Sequence, residues 1–423
     1  MKIIQVTNVE RFASEITPKQ PQKNKKIVDS ILNQVQKNGD SAIKKYEKKF
    51  SGAKLTTLRI SQKEKKYAYS KVSSKEIRAI KLAKKRLEKT ESKLKSVLKQ
   101  ITINNEGVKI SKTFVPIRST GCYIPGGLAK YPSSVIMSVI PAKVAGVKKI
   151  IITSPPNASG KLDPLTIVAA DICGADDIYK VGGAQAIAAL AYGTKSIPKV
   201  EKIVGPGGAF VTTAKSMVSD TTSIDMLAGP TELGIIADNS ANPKFVALDL
   251  ISQAEHSSDT FCYLITNSEK LAKSVNLKLE EIVGKIKRSE IVKNSLKQNG
   301  FIAVCKKNQD IIQLANELAP EHLQIMTKNP QKFAAKLTSP GLVLLGNQSP
   351  SSASDYILGS NHILPTNGFG KTRGSLSVLD FMKISTQVTS TRASLSKISK
   401  YLDIFTKAEG LPNHYEAVRG RLE

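Results

Sequence analysis

The chain has no tryptophan, and aromatic residues make up only 5% of its 423 positions. That scarcity argues against a binder built on base stacking or an aromatic cage. Cysteine is sparse too: Cys122, Cys173, Cys262 and Cys305 stand far apart, with no CxxC pair. A zinc knuckle or thioredoxin-type site is excluded, and scattered single cysteines fit buried small hydrophobes in a reducing compartment. No apolar run approaches the ~20 residues of a membrane-spanning helix. The first residues, MKIIQVTNVERFASE, lack the apolar stretch of a secretory signal. The expectation is a cytoplasmic protein without membrane association.

Acidic residues are outnumbered, 35 against 63 lysines and arginines, for a net charge of +28. The excess is uneven: residues 1–100 hold 27 basic and 9 acidic residues. A nucleic-acid-binding arm is one reading of a stretch such as KLAKKRLEKTESKLKSVLK (81–99). Solvated helices are the better one. Ile77, Ile80, Leu82, Leu87, Leu94 and Leu98 recur at near-helical spacing, lysine dominates over arginine, and no aromatic is interleaved. No specific nucleic-acid partner is expected, only unspecific polyanion binding at low salt.

The length is enough for about two or three domains. Residues 1–24 read as an entry segment ended by Pro18 and Pro21, and residues 25–49 and 73–100 as amphipathic helices. Residues 107–125 look extended and lead into the turn GCYIPGG. Beyond them the apolar period switches repeatedly between 2 and 3.6. KKIIITS, DIYKVGG and VEKIVGPGG alternate with PLTIVAADICG, AQAIAALAYG and AFVTTAKSMV, and a second such block runs from TELGIIAD to GLVLLG. This predicts an α/β protein with parallel, doubly wound sheets. The last 45 or so residues read as helical.

Only four histidines are present, and none lies in a plainly apolar run. In SQAEHSSD, Gln253 and His256 share a helical face at i and i+3 and can hold one metal ion, or His256 can simply answer a helix dipole. Asp355 and His362 sit seven apart in a loop rich in serine, glycine and asparagine, where turn chemistry is the simpler reading. Glu321 and His322 follow Pro320 at a helix end, as an acid/base couple or as ordinary loop. His414, with Glu409 before it, is a weak signal alone. A zinc site with nitrogen and oxygen ligands and room for substrate would use two or three of the four. The turns KVGGAQA and VGPGGAF join strands to helices and offer helix N-termini to an anion, but neither matches GxGxxG.

Taken together, these segments resemble the histidinol dehydrogenase family. The resemblance runs from about residue 110 to the C-terminus through GCYIPGG, KVGGAQAIAALAYGT, PKVEKIVGPGGAFVT, IDMLAGPTEL, LISQAEHSSD, APEHL, SASDYILGSNHILPT and EGLPNH, in family order. It implies oxidation of L-histidinol to L-histidine through L-histidinaldehyde, with two NAD, as the last step of histidine biosynthesis. It implies one Zn2+ per subunit on Gln253, His256, Asp355 and His414, and an acid/base pair of Glu321 and His322. Substrate contacts are implied at Thr231, His322 and Glu409 together with the zinc ligands, and cofactor contacts at Tyr123 and Gln185. Family members are homodimers, so the tail bearing His414 is expected to enter the partner's site.

The fold expected on this basis is two doubly wound parallel-sheet (incomplete Rossmann-like) domains with small terminal helical segments. Residues 25–122 with 231–375 form the first, bearing the catalytic and zinc residues. Residues 123–230 form the second, the cofactor side, and 376–423 the tail. Two departures stand out: Gly208 replaces the asparagine of the family's GPGN turn, and Thr231 the serine of its GPSE. A related zinc/NAD alcohol dehydrogenase acting on another amino- or sulfo-alcohol is the alternative reading.

Overall fold

The computed structural model describes residues 1–16, 24–126 and 130–423. Pro18, Pro21 and Gly127 of the GCYIPGG turn lie outside the described residues. Lys2–Val6 (β1), Glu232–Ala237 (β9), Phe261–Thr266 (β10), Phe301–Cys305 (β11), His322–Met326 (β12) and Leu342–Leu345 (β13) form a six-stranded sheet. Its order is β1-β11-β10-β9-β12-β13 and every pairing is parallel. Ser119–Tyr123 (β4), Lys149–Ser154 (β5), Asp177–Lys180 (β6), Lys202–Val204 (β7) and Ser223–Ile224 (β8) form a second parallel sheet, ordered β6-β5-β4-β7-β8. Both are covered on two faces by helices, which is why their strands read as unbroken apolar runs such as FCYLIT, buried throughout. The expected parallel α/β architecture is what the chain adopts.

The third sheet was not expected. Ile101–Asn105 (β2), Val108–Pro116 (β3) and Met382–Ser390 (β14) pair antiparallel in the order β14-β3-β2. Residues 382–390, read as part of a helical tail, therefore form a nine-residue strand. The alternation in MKISTQVTS, with Ile384, Thr386 and Val388 on one side, is a strand pattern that outweighs the helical character of the residues after it. Only Arg392–Ala408 and Pro412–Arg419 are helices. At the other end, residues 2–6 are an edge strand rather than a mere entry segment, since KIIQV pairs along β11.

Packing also redraws the expected division of the chain. The helix Lys25–Phe50, kinked at Gly39, buries Val28, Ile31, Val35 and Ile43 in one core with Ile187 and Leu190 of the helix Gly183–Tyr192. The helix Ser74–Ser96 buries Ile80 and Leu87 against Val139 and Ile140 of the helix Pro132–Ala145. The helices of residues 25–100 thus pack on the five-stranded sheet rather than on the six-stranded one, and a boundary at 122/123 would cut the central strand β4. The amphipathic spacing announced that these helices bury one face; it carried no information on which sheet receives it. Of the periodic apolar residues, Leu82 points outward. Among the described residues, no helix is long and apolar enough to cross a membrane.

Candidate active site

β9 and β12 are neighbours, with His322 paired opposite Leu233. This register brings Thr231–Glu232 and Glu321–His322 together at the amino ends of two central strands. The helix Pro243–Ala254 connects β9 to the parallel β10, so its last turn, carrying Gln253, returns to the same edge. Gln253 Nε2 donates to Thr231 Oγ1 at 2.7 Å, and Thr231 donates on to Glu321 Oε2 at 2.6 Å. Glu321 Oε2 also accepts the Glu232 N–H at 3.0 Å. In return Glu232 Oε2 accepts the Glu321 N–H at 3.1 Å, while its other oxygen accepts the Asn367 N–H at 2.9 Å.

Both carboxyl groups are deeply buried, and this sets their acidity. Burial, with the nearby Glu321 charge, pushes Glu232 up to about 8 against two backbone N–H donors. Burial likewise raises Glu321, opposed by His322 and the Thr231 hydroxyl. His322 goes the other way: burial pulls it down, but Asp355 and Glu321 outweigh this and raise it to about 9. Its Nε2 stands 3.1 Å from Asp355 Oδ1, and its Nδ1 stands 4.0 Å from Glu321 Oε1.

Neither imidazole nitrogen of His322 makes a directed hydrogen bond, and nor does Asp355 Oδ1. Buried polar atoms left in this state carry a cost unless something else engages them. A cation and a polar substrate are the kinds of partner these atoms fit. Asp355 lies on the short helix Ser351–Tyr356, which packs against the helix bearing Gln253. His256, just past that helix, adds its field to those of His322 and His362 at the Asp355 carboxyl, which sits below its usual range despite burial. His362 is not loose turn chemistry. The Asp355 carbonyl can only accept, so His362 Nδ1 carries the proton and donates to it at 2.6 Å, leaving Nε2 to face the Ser134 hydroxyl at 3.4 Å.

The structure thus gathers Thr231, Gln253, Glu321, His322 and Asp355, with His256 at their margin. It does not bring Glu409 or His414 to them: both are exposed on the tail. Among the described residues, no three His, Cys, Asp or Glu side chains of one chain are grouped to hold a metal ion. The reading of Glu321 and His322 as residues of a helix end is corrected, because His322 opens β12. The period-two segment HLQIM carried that signal. Glu232 was missed, and His362 was left to turn chemistry. A glutamate opening the wholly buried strand ELGIIA was a legible warning for Glu232.

Tyr123 ends β4 in the five-stranded sheet, and Gln185 lies in the first turn of the helix Gly183–Tyr192. The strand order reverses between β4 and β7, and the carboxyl ends of strands at such a point form a crevice that commonly receives a ligand. Tyr123 Oη accepts the Gly183 N–H at 3.2 Å, and Gln185 Nε2 donates to Glu47 Oε1 at 2.8 Å. The turn Gly205–Gly208 follows β7 and closes on Tyr123. Gly205 has φ 111°, and a Cβ there would come within 2.1 Å of the Tyr123 carbonyl oxygen, so only glycine fits. Gly208 faces open space.

Comparison with known proteins bears on the chain as a whole. The family profile described as histidinol dehydrogenase matches residues 15–422. A histidinol dehydrogenase of Methanocaldococcus jannaschii is 44% identical over 94% of this chain and 92% of its own length. One from Oceanobacillus iheyensis is 42% identical over 93% and 92%. The crystal structure of histidinol dehydrogenase from Elizabethkingia anophelis superposes with a TM-score of 0.94 at 36% identity, covering 100% of this chain and 98% of that one. With a match this complete, and with the buried glutamate–histidine pair in place, the chain belongs to the histidinol dehydrogenase family of oxidoreductases, which serve histidine biosynthesis.

Proposed function

We propose that the protein oxidises L-histidinol to L-histidine in two steps through L-histidinaldehyde, using two NAD and one zinc ion per subunit. The observation that carries the reading is the hydrogen-bonded run Gln253–Thr231–Glu321 beside the buried His322–Asp355 ion pair. Gln253, His256 and Asp355 would hold the metal, with His414 of the partner subunit as fourth ligand. Nitrogen and oxygen donors of this kind suit zinc with room for substrate. Zinc supplies Lewis-acid anchoring of the substrate's amino and imidazole nitrogens, and NAD, held at Tyr123 and Gln185, supplies the hydride acceptor.

His322 takes the proton of the substrate hydroxyl in the first oxidation. Its imidazole is free to do so once the Asp355 carboxylate is engaged as a ligand and no longer favours the imidazolium. Glu321, its oxygen placed by Thr231 and the Glu232 N–H, takes a proton from the water that adds to the aldehyde. Thr231, Glu409 of the partner subunit and the metal ligands position the substrate.

A homodimer is part of the reading. Ile101, Ile103, Ile384 and Val388 on the antiparallel sheet, and Ile404 and Phe405 on the tail, are large apolar side chains exposed in the single chain, as a surface awaiting a second copy would be. A cytoplasmic setting fits the four free, buried cysteines.

The test is NADH formation followed at 340 nm from zinc-loaded protein, L-histidinol and NAD. Two NADH per histidinol, abolished by a chelator and restored by zinc, is the expected result. One NADH per histidinol, or turnover indifferent to chelation, overturns the scheme.

A further inference from the structure

Glu47 sits on a lysine-rich helix, where a glutamate normally meets solvent, yet its side chain is fully buried. Its partners are three neutral donors. Oε1 accepts the Gly182 N–H and Gln185 Nε2, each at 2.8 Å, and Oε2 accepts the Ser51 hydroxyl at 2.8 Å. It therefore ties the first hundred residues to the turn that carries Gln185.

The chemistry of this contact is directional. A carboxylate accepts and cannot donate, so the Gln185 amide must turn its NH2 towards Glu47. Gln185 Oε1 is left over, and among the described residues it accepts no hydrogen bond. Gly183 keeps the space beside that oxygen clear, since a Cβ there would lie 2.9 Å from it. Meanwhile the Gly183 N–H occupies one lone pair of Tyr123 Oη, whose own O–H remains free to donate. The crevice thus offers one acceptor, Gln185 Oε1, and one donor, Tyr123 O–H. A nicotinamide dinucleotide carries matching groups in its carboxamide and ribose hydroxyls.

We propose that Glu47 is a positioning residue for the cofactor: it fixes the Gln185 amide so that an oxygen, not an NH2, meets the dinucleotide. The inference rests on the reading of Gln185 as a cofactor contact. Glu47→Gln keeps an acceptor for Gln185, whereas Glu47→Ala removes it and frees the amide to turn.

The experiment is NADH binding by fluorescence titration, with Michaelis constants for NAD and histidinol measured alongside. Losing a hydrogen bond to a charged group predicts that E47A weakens NADH binding and raises the KM for NAD about tenfold. The KM for histidinol and the zinc content stay as in the wild type, and E47Q falls within about twofold of it. In a Q185A background, E47A adds nothing further. A staple with no role in binding would lower the Tm and leave the NADH affinity of folded protein unchanged, and that result overturns the proposal. If Q185A itself binds NADH normally, the reading of Gln185 fails and takes the proposal with it. If Q185A is impaired and E47A is not, only Glu47 is excluded. Should E47A not fold, Q185E serves instead. It offers Glu47 no donor and is expected to bind NADH about tenfold more weakly. Wild-type NADH affinity in Q185E overturns the proposal.

Discussion

Glu232 and Glu321 clasp each other: each carboxyl group accepts the backbone N–H of the other, at 3.1 Å and 3.0 Å. The clasp joins the first residue of β9 to the residue preceding β12, and so sets the distance between Thr231 and His322. Glu232 uses both its oxygens as acceptors, the second for the Asn367 N–H. Glu232→Gln can satisfy only one of these donors, because its NH2 must face the other. Leaving a buried N–H unpaired is expected to cost about 1–3 kcal/mol in urea denaturation, with a fall in kcat as Glu321 shifts. An unchanged denaturation midpoint and kcat would show that the clasp positions nothing.

In the proposed mechanism, the roles of His322 and Glu321 separate by step. His322→Asn is expected to cut turnover about a hundredfold or more while far-UV dichroism stays native. Glu321→Gln is expected to spare the first oxidation and stall the second. Histidinaldehyde then accumulates, trapped with a carbonyl reagent, at one NADH per histidinol. Two NADH per histidinol at wild-type rate from the glutamine variant would remove Glu321 from the water-activating role.

Gly208 begins the helix Ala209–Val218 with no side-chain cap, at φ −67°, and a Cβ there meets nothing within 4 Å. Gly208→Asn therefore introduces no strain. It restores the amide implied by the family resemblance and adds a helix cap, for a gain of a few tenths of a kcal/mol in stability. A lower KM for NAD is the expected result. A KM that stays put while the Tm rises would mean the turn engages the cofactor through its backbone alone.

How far the sequence disclosed all this varied with the kind of information. The parallel sheets were legible because apolar runs and amphipathic stretches alternate, and that alternation is a local property. β12 and β14 were not read as strands, although HLQIM and MKISTQVTS both alternate. Proline and a charged pair beside the first, and helical neighbours beside the second, masked it. Gln253, Thr231 and Glu321 carried recognisable motifs, and the structure brings them into one hydrogen-bonded run. Glu47 could not have been found, since nothing in KKYEKKF distinguishes a buried glutamate from a solvated one. Its role depends on which sheet receives its helix, a tertiary fact.

A pH effect on stability arises from Glu91, another buried glutamate of the basic helices. Burial pushes its carboxyl up to about 7 from an ordinary 4.5, against the pull of the Val378 N–H it accepts at 2.7 Å. Below pH 4.5 both folded and unfolded chains hold this proton, and Glu91 has no influence. Between about 4.5 and about 7 the unfolded chain releases it and the folded chain does not, so stability falls as pH rises through that window. Glu91→Gln still accepts the Val378 N–H and cannot ionise. Relative to wild type it is expected to gain up to about 3 kcal/mol between pH 4 and pH 8, measured by urea denaturation. A wild type and variant with parallel pH profiles would exclude Glu91 as a source of the slope.

Whether His414 serves its own subunit or the other can be decided without a second structure. His414 and Glu409 are exposed and apart from Gln253 and His322 within one chain. If the tail completes the partner's site, His414→Ala lowers zinc content, and each subunit of a dimer depends on the other. Mixed dimers of H414A and H322N protomers then contain one wholly intact site: the H414A subunit keeps its own His322 and receives His414 from its partner. Random pairing makes half the dimers mixed, with one working site of two, so co-refolding two inactive variants is expected to restore about a quarter of wild-type activity. If the tail folded back on its own chain, every subunit in every dimer would carry a damaged site. The mixture would then stay as inactive as its parts.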